Sequence, residues 1–188
     1  MCISKRPAGM GIVAVLALVI LGMLSACATS THTVSKATVT GCSATSSAAT
    51  QSAQDMLNLR ACQAAGSEVV AVRTSYDQQA ASVKVAIRIG GRVPDTDAEV
   101  SAAQKLTKTI CLREQQAIWA SGVTLKEATV TVIGPIQDEY ANIVDGSYGA
   151  SVLHPSTVVG LNWASLSAES AWDRYDYTFL RPYYVLFD

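Results

Sequence analysis

The residues most able to take part in covalent chemistry are three cysteines in the main part of the chain: Cys42, Cys62 and Cys111. None of them forms a Cys-x-x-Cys pair, so thiol redox catalysis is poorly supported. If this part of the chain lies in an oxidising compartment, two of the three should pair. We predict a Cys62–Cys111 disulfide, which would clip the N-terminal segment onto a long helix. The alternative is a Cys42–Cys62 disulfide with Cys111 buried and free.

The other candidates for chemistry are few. The two histidines, His32 and His154, cannot form a multi-histidine metal site, and we predict that His154 is a surface turn residue. Neither a Gly-x-Ser-x-Gly nucleophile elbow nor a phosphate-binding loop is present. Carboxylates for acid-base chemistry could come from two pairs, although solvated acidic residues look the same in sequence: Asp138 with Glu139, and Asp173 with Asp176. We therefore predict no metal and no cofactor.

The elements that must position these residues are clearest between Ser82 and Ile133. Val83, Val85, Ile87 and Ile89 alternate with more polar residues, which predicts a strand with one buried face. A capping-box spacing, Thr96 followed by Glu99, predicts a helix that begins near Asp97 and runs for about 25 residues to Gly122. A second strand follows at 128–132 and stops at Gly134-Pro135. The order strand, crossover helix, strand predicts that the two strands are parallel and that the helix packs across one face of the sheet.

The flanking segments extend this unit. Residues 69–76 predict a strand antiparallel to the one at Ser82, and a short helix is possible over 54–65. Downstream, the patterns predict a helix at 138–144, a fourth strand at 148–153, a helix at 168–175 and an edge strand within 177–187. The predicted fold is α+β, with a ββαβ core, a 3–5-stranded mixed sheet, one long helix packed on one face and a shorter C-terminal helix.

The N-terminus has the three parts of a secretory signal. Lys5 and Arg6 precede an apolar run over 8–24, and the small residues Ser25 and Ala26 lead to Cys27. The motif Leu-Ser-Ala-Cys that ends at Cys27 resembles the lipobox of bacterial lipoproteins. That resemblance implies cleavage before Cys27 and acylation, including palmitate, of its thiol and new amino group. The alternative is an uncleaved membrane anchor, since the apolar run is about long enough to span a bilayer.

These features predict the organisation of the chain. Residues 1–26 are a signal peptide, 27–66 are the lipidated cysteine and a Ser/Thr-rich tether with a possible short helix, and 67–188 are the globular domain. The predicted location is the bacterial cell envelope, lipid-anchored, with the domain facing the periplasm or the exterior. Removing Lys5 and Arg6 from 14 basic residues, against 15 acidic ones, leaves a net charge of −3. That charge argues against a nucleic-acid partner, and the membrane should be contacted through the lipid.

Ten of the twelve aromatic residues follow Asp138. They can form a core or a recognition surface, because tyrosine and tryptophan are common in both. We predict that Trp163 and Trp172 are buried and close the sheet face opposite the long helix. A binding surface would then use the remaining tyrosines Tyr140, Tyr148, Tyr183 and Tyr184.

The predicted function is a non-catalytic binding or scaffolding domain on an envelope lipoprotein. Its partner would be an envelope protein, a peptide or a glycan. The alternative is an envelope hydrolase that uses Asp or Glu. Two convergent carboxylates with raised pKa values in one pocket would favour the hydrolase, and an exposed aromatic patch would favour binding.

Overall fold

The computed structural model describes residues 39–42 and 52–185, so the predicted signal peptide and Cys27 lie outside the described residues. A 3-10 turn, Trp163–Ser165, precedes the last helix. The helices and strands, in chain order, are α1 Ala53–Ala64, β1 Val69–Asp77, β2 Ser82–Ile89, α2 Asp97–Trp119, β3 Glu127–Gln137, β4 Ile143–Leu153, α3 Pro155–Val158, α4 Ala168–Trp172 and β5 Tyr177–Leu180.

The five strands form one mixed sheet in the order β1-β2-β3-β4-β5. β2 and β3 are parallel and are joined through α2, while the other neighbouring pairs are antiparallel. The predicted α+β class, the ββαβ core and the mixed sheet with one long helix are therefore confirmed. Alternate apolar side chains of the strands face α2 and are buried, which is the pattern of a sheet with one covered face.

Helix α2 is the main cover of the sheet. Thr96 and Glu99 form the predicted capping box at its N-terminus, and Gly122 adopts a φ of 81° just after its end. Its buried face carries Ile110 and Ile118, which contribute to the core beneath the helix. No helix in the described part of the chain is long and apolar enough to cross a membrane.

A hydrogen-bond network centred on Gln115 fixes α2 to the sheet. The Gln115 amide donates to the carbonyl of Ala128 in β3 at 3.1 Å and to the carbonyl and hydroxyl of Ser151 in β4 at 3.2 Å. The indole N–H of Trp119 donates back to the Gln115 side-chain oxygen at 3.1 Å. Because each polar group here is paired, this fully buried amide specifies the position of α2 without leaving an unsatisfied donor.

Helix α1 and residues 39–42 protect the edge strand β1. Leu57 and Ala61 of α1 are fully buried, so the folded part begins before residue 67, the boundary that composition predicts. Thr40 pairs with the backbone of Val70 and Val72, and the Gln54 side chain bonds the carbonyl of Thr74 and the N–H of Tyr76. An exposed strand edge invites pairing with another chain, and these contacts occupy much of that edge.

Two predicted boundaries are wrong. β3 does not stop at Gly134-Pro135 but continues to Gln137, and the predicted helix at 138–144 is a turn followed by the start of β4. Pairing of β2 with β3 ends at Ile133, so Pro135 lies where β3 has lost one neighbour and its missing N–H removes no ladder bond. The Asp138 side chain accepts hydrogen bonds from the N–H groups of Tyr140 and Asn142, which closes the turn between β3 and β4.

The C-terminal helix lies on the opposite side of the sheet from the one predicted. Ser167 caps α4 as expected, but α4 packs against α2 and Glu169 forms an ion pair with Lys108 of α2. Trp172 is buried, whereas Trp163 is only partly buried. The physical reason is that the apolar positions of the sheet face α2, so apolar rings near the chain end gain more by joining that side.

Candidate functional site

One face of the sheet is left uncovered by the described helices, and we call it the open face. It consists of the strand residues that point away from α2. On β5, Leu180 approaches Gly149 on the α2 side, so Tyr177 and Phe179 project from the other side. The central part of the open face comprises Arg73, Ser75, Lys84, Ala86, Arg88, Thr129, Thr131, Ile133, Ala150, Val152, Tyr177 and Phe179. Toward the strand ends it also carries the carboxylates of Asp77, Glu127 and Asp145.

The register places these residues in rows across the strands. The central row runs from Arg73 through small or β-branched side chains to Phe179: Arg73, Ala86, Thr131, Ala150 and Phe179. The neighbouring row runs from Ser75 to Tyr177: Ser75, Lys84, Thr129, Val152 and Tyr177. Cations therefore lie at the β1–β2 side of the open face, aromatic rings lie at the β5 side, and threonines lie between them.

The three cations of the open face differ in pairing. Arg88 forms an ion pair with Asp145 at 2.8 Å, and this hydrogen bond raises the pKa of Arg88. Arg73 and Lys84 are exposed and neither forms an ion pair with another described residue. Two positive charges on this face are thus available to an anion.

Two adjoining cavities lie along the β1–β2 side of the open face. The larger has a volume of about 740 Å³ and is lined by aliphatic residues of the strands together with Arg73, Lys84, hydroxyl and amide side chains, with no carboxylate among its lining residues. The smaller, of about 370 Å³, includes Arg88 and Asp145 and shares Arg73 and Ala86 with the larger one. The lining of the larger cavity suits an anionic ligand that also carries hydrogen-bonding groups.

The four tyrosines of the predicted binding surface do not lie together. Tyr140 and Tyr183 are exposed, at 77% and 71%, but Tyr148 and Tyr184 are buried at 2% and 1%. The rings of Tyr148 and Tyr184 pack with their centroids 4.2 Å apart. Tyr148 lies over Gly134, where a Cβ atom would come within 2.7 Å of its ring. Tyr148 and Tyr184 are therefore core residues, and their assignment to a surface is wrong.

The predicted Cys62–Cys111 disulfide is also wrong. Cys42 and Cys62 are bonded, with an S–S distance of 2.02 Å, and Cys111 is a free, buried thiol. Cys111 points into the core from α2, whereas Cys62 lies toward residues 39–42, so the two sulfurs face different surroundings. Burial raises the pKa of Cys111 to about 12, which keeps it a thiol and makes it a poor nucleophile.

A polar cluster that the sequence did not predict surrounds His154. Its Nδ1 lies 3.3 Å from Asp176 and its Nε2 lies 3.6 Å from Glu127. Asp176 also accepts hydrogen bonds from the Thr157 hydroxyl at 2.6 Å and from the His154 N–H at 2.7 Å. Burial raises the pKa of Asp176, but these hydrogen bonds outweigh it and hold that pKa below its ordinary value. The cluster fixes the start of α3, and no described hydroxyl or thiol hydrogen-bonds the imidazole to serve as a nucleophile.

Glu114 of α2 is the other unusual polar residue. It is fully buried, and neither carboxylate oxygen has a hydrogen-bond partner among the described residues. Burial, with a smaller contribution from Glu68, raises the pKa of Glu114 to about 8 despite the neighbouring Arg113. Arg113 is bonded to Glu68 at 2.7 Å, and this contact outweighs burial to hold the pKa of Glu68 below its ordinary value. The two carboxylates therefore do not form a raised-pKa pair.

The remaining candidates can be placed as well. Asp138 is engaged in the β3–β4 turn, and Asp173 follows α4 as an exposed residue. Within residues 39–42 and 52–185, no group of three or more His, Cys, Asp or Glu side chains is arranged to hold a metal ion. The solvent-facing positions of Lys84 and Arg88 follow from strand alternation, but nothing local in the sequence sets the register that places them beside Arg73 and Thr131.

Comparison with protein-family models, with curated proteins and with solved structures finds no significant match to this chain. The site must therefore be interpreted from its own chemistry.

Proposed function

We propose that this chain is a bacterial envelope lipoprotein whose folded domain binds a ligand or partner through the open face and performs no catalysis. The observation that carries the binding role is the open face itself: five strands wide, with a cavity of about 740 Å³ and two cations without ion pairs in the described structure. A sheet face that only packs against helices of the same chain would need neither a cavity nor cations without ion pairs. The anchor rests on the Leu-Ser-Ala-Cys motif that ends at Cys27.

The hydrolase alternative has less support. Acid-base hydrolysis needs two carboxyl groups that converge on a substrate, with one pKa raised. Glu114 has the raised pKa, but it does not line any of the described cavities. Asp138 and Asp176 instead have lowered pKa values, because hydrogen bonds from neighbouring groups outweigh the effect of burial.

The anchor predicts the behaviour of a single variant. Cys27→Ser should abolish acylation and leave the apolar signal segment uncleaved, because cleavage and lipid attachment both require that cysteine. Mass spectrometry of the N-terminus, with fractionation of cells that express the full chain, tests this. Finding an uncleaved Met1, or an unmodified Cys27, on the wild-type protein would overturn the lipoprotein assignment.

The binding role predicts position-dependent crosslinking in the envelope. A photo-crosslinking amino acid at Thr131, in the centre of the open face, should capture a component of the envelope when the full chain is expressed in cells. The same amino acid at Lys105, exposed on α2, is the matched control on the helical side. Equal crosslinking from the two positions, or none from Thr131, would rule out the open face as the binding surface.

A further inference from the structure

The positions of Arg73 and Lys84 determine how negative charges on a ligand must be spaced to contact both cations. Arg73 lies opposite Ala86 and Lys84 lies opposite Ser75, so the two cations are diagonal neighbours on β1 and β2. Diagonal neighbours in an antiparallel pair have Cα atoms about 7–8 Å apart. Since the cations belong to different rows, they can contact successive negative charges along a chain.

On β3, next to the cations, the open face carries the hydroxyl groups of two threonines. Thr129 lies opposite Lys84, and Thr131 lies opposite Ala86. Both threonines line the larger cavity together with Ser75, and the lining of that cavity contains no carboxylate. Hydroxyls both donate and accept hydrogen bonds, so this stretch matches a ligand that is itself rich in hydroxyl groups.

Aromatic rings complete the opposite side of the open face. Tyr177 is 59% exposed and Phe179 is 38% exposed, although each lies in a strand. The five strands include four inter-strand spacings, so β1 and β5 are about 19 Å apart. A ligand that reaches from the cations to these rings must therefore be elongated.

We propose, on the basis of the proposed binding function, that the open face binds an acidic oligosaccharide. Carboxylates on its sugars would contact Arg73 and Lys84, its hydroxyls would bond the threonines, and the apolar side of a sugar ring would lie on Tyr177 or Phe179. Local electrostatic complementarity carries the choice, because Arg73 and Lys84 have no ion-pair partner among the described residues, whereas Asp145 is already paired with Arg88. An acidic peptide is a poorer fit. It would bind best by adding a strand to the sheet, and Thr40 and Gln54 already occupy the β1 edge.

The test is a calorimetric titration of the full chain, in neutral detergent, with oligogalacturonate. Its methyl-esterified form serves as the uncharged control. We expect binding that weakens as salt rises and that is lost with the methyl ester. Arg73→Ala and Lys84→Ala should each weaken binding about tenfold, as expected for loss of a charge-assisted contact. Tyr177→Ala should weaken binding of the oligosaccharide, whereas Lys105→Ala on α2 should leave it unchanged.

Three results would overturn the proposal. They are no binding of oligogalacturonate to the wild-type chain, binding by the Arg73→Ala and Lys84→Ala variants as tight as that of wild type, or binding of polyglutamate by the wild-type chain as tight as that of oligogalacturonate. Circular dichroism of each variant shows whether the exposed substitutions leave the fold intact. If Thr131 crosslinks an envelope component while oligogalacturonate does not bind, the oligosaccharide is wrong and the binding function stands. If neither occurs, both are wrong.

Discussion

Glu114→Gln is expected to raise the free energy of unfolding above neutral pH by an amount on the order of a few kcal/mol. The wild-type carboxyl is fully buried without a hydrogen-bond partner among the described residues, and burial raises its pKa from 4.5 to about 8. The folded protein therefore keeps a proton that the unfolded chain releases. A glutamine of nearly the same shape removes this difference, because it carries no charge in either state.

The sign of the pH dependence follows from that raised pKa. Below 4.5 both states hold the proton and Glu114 costs nothing through ionisation. As pH rises from 4.5 to about 8 the unfolded state ionises first, so stability falls, and above about 8 the loss is complete. The charged groups that act on Glu114, Arg113 and Glu68, are bonded to each other, and the attraction of Arg113 does not offset the effect of burial on the pKa of Glu114.

Urea denaturation of wild type and Glu114→Gln at several pH values between about 5 and 9 measures this effect. The two curves should lie close together at the acidic end and separate as pH rises. Glu139→Gln, at an exposed position in the β3–β4 turn, is the control and should stay within about 0.5 kcal/mol of wild type. A constant difference between Glu114→Gln and wild type across the range would mean that Glu114 does not titrate in this way.

Trp172→Ala is expected to lower the free energy of unfolding by about 3–5 kcal/mol. The ring is buried beside α2 and meets Tyr175 edge-on, with centroids 6.1 Å apart. Truncation leaves a cavity where α4 packs on α2, because the short helix has few other apolar residues with which to fill it. For a domain of ordinary stability, near 5–15 kcal/mol, this loss is a large share of the total.

Thermal or urea unfolding of Trp172→Ala measures that loss. Tyr177→Ala is a matched control, because it also removes an aromatic ring near the chain end but from an exposed position on the open face. It should change stability by less than about 0.5 kcal/mol. Similar losses for the two variants would contradict the assignment of Trp172 to the core and of Tyr177 to the open face.

Local sequence patterns specify the strand–helix–strand unit at the centre of this protein. Neighbours within a few residues set the alternation in β2 and the Thr96–Glu99 capping box. One general rule, the right-handed crossover between parallel strands, sets the hand of the unit. Such local signals agree with one another along this stretch, so the positions of β2, α2 and the start of β3 could be predicted. The N-cap Ser167 of α4 is local in the same sense.

Long-range packing sets which faces of the sheet and helices pack together and which cysteines form the disulfide. Pro135 is compatible with a strand because β2 stops pairing at Ile133, a fact about a neighbouring strand. Cys62 pairs with Cys42 because α1 lies beside residues 39–42, and α4 joins the α2 side of the sheet. The candidate site depends on the same long-range order. Arg73, Lys84, Thr131 and Phe179 lie far apart in sequence, and strand register alone brings them onto one face.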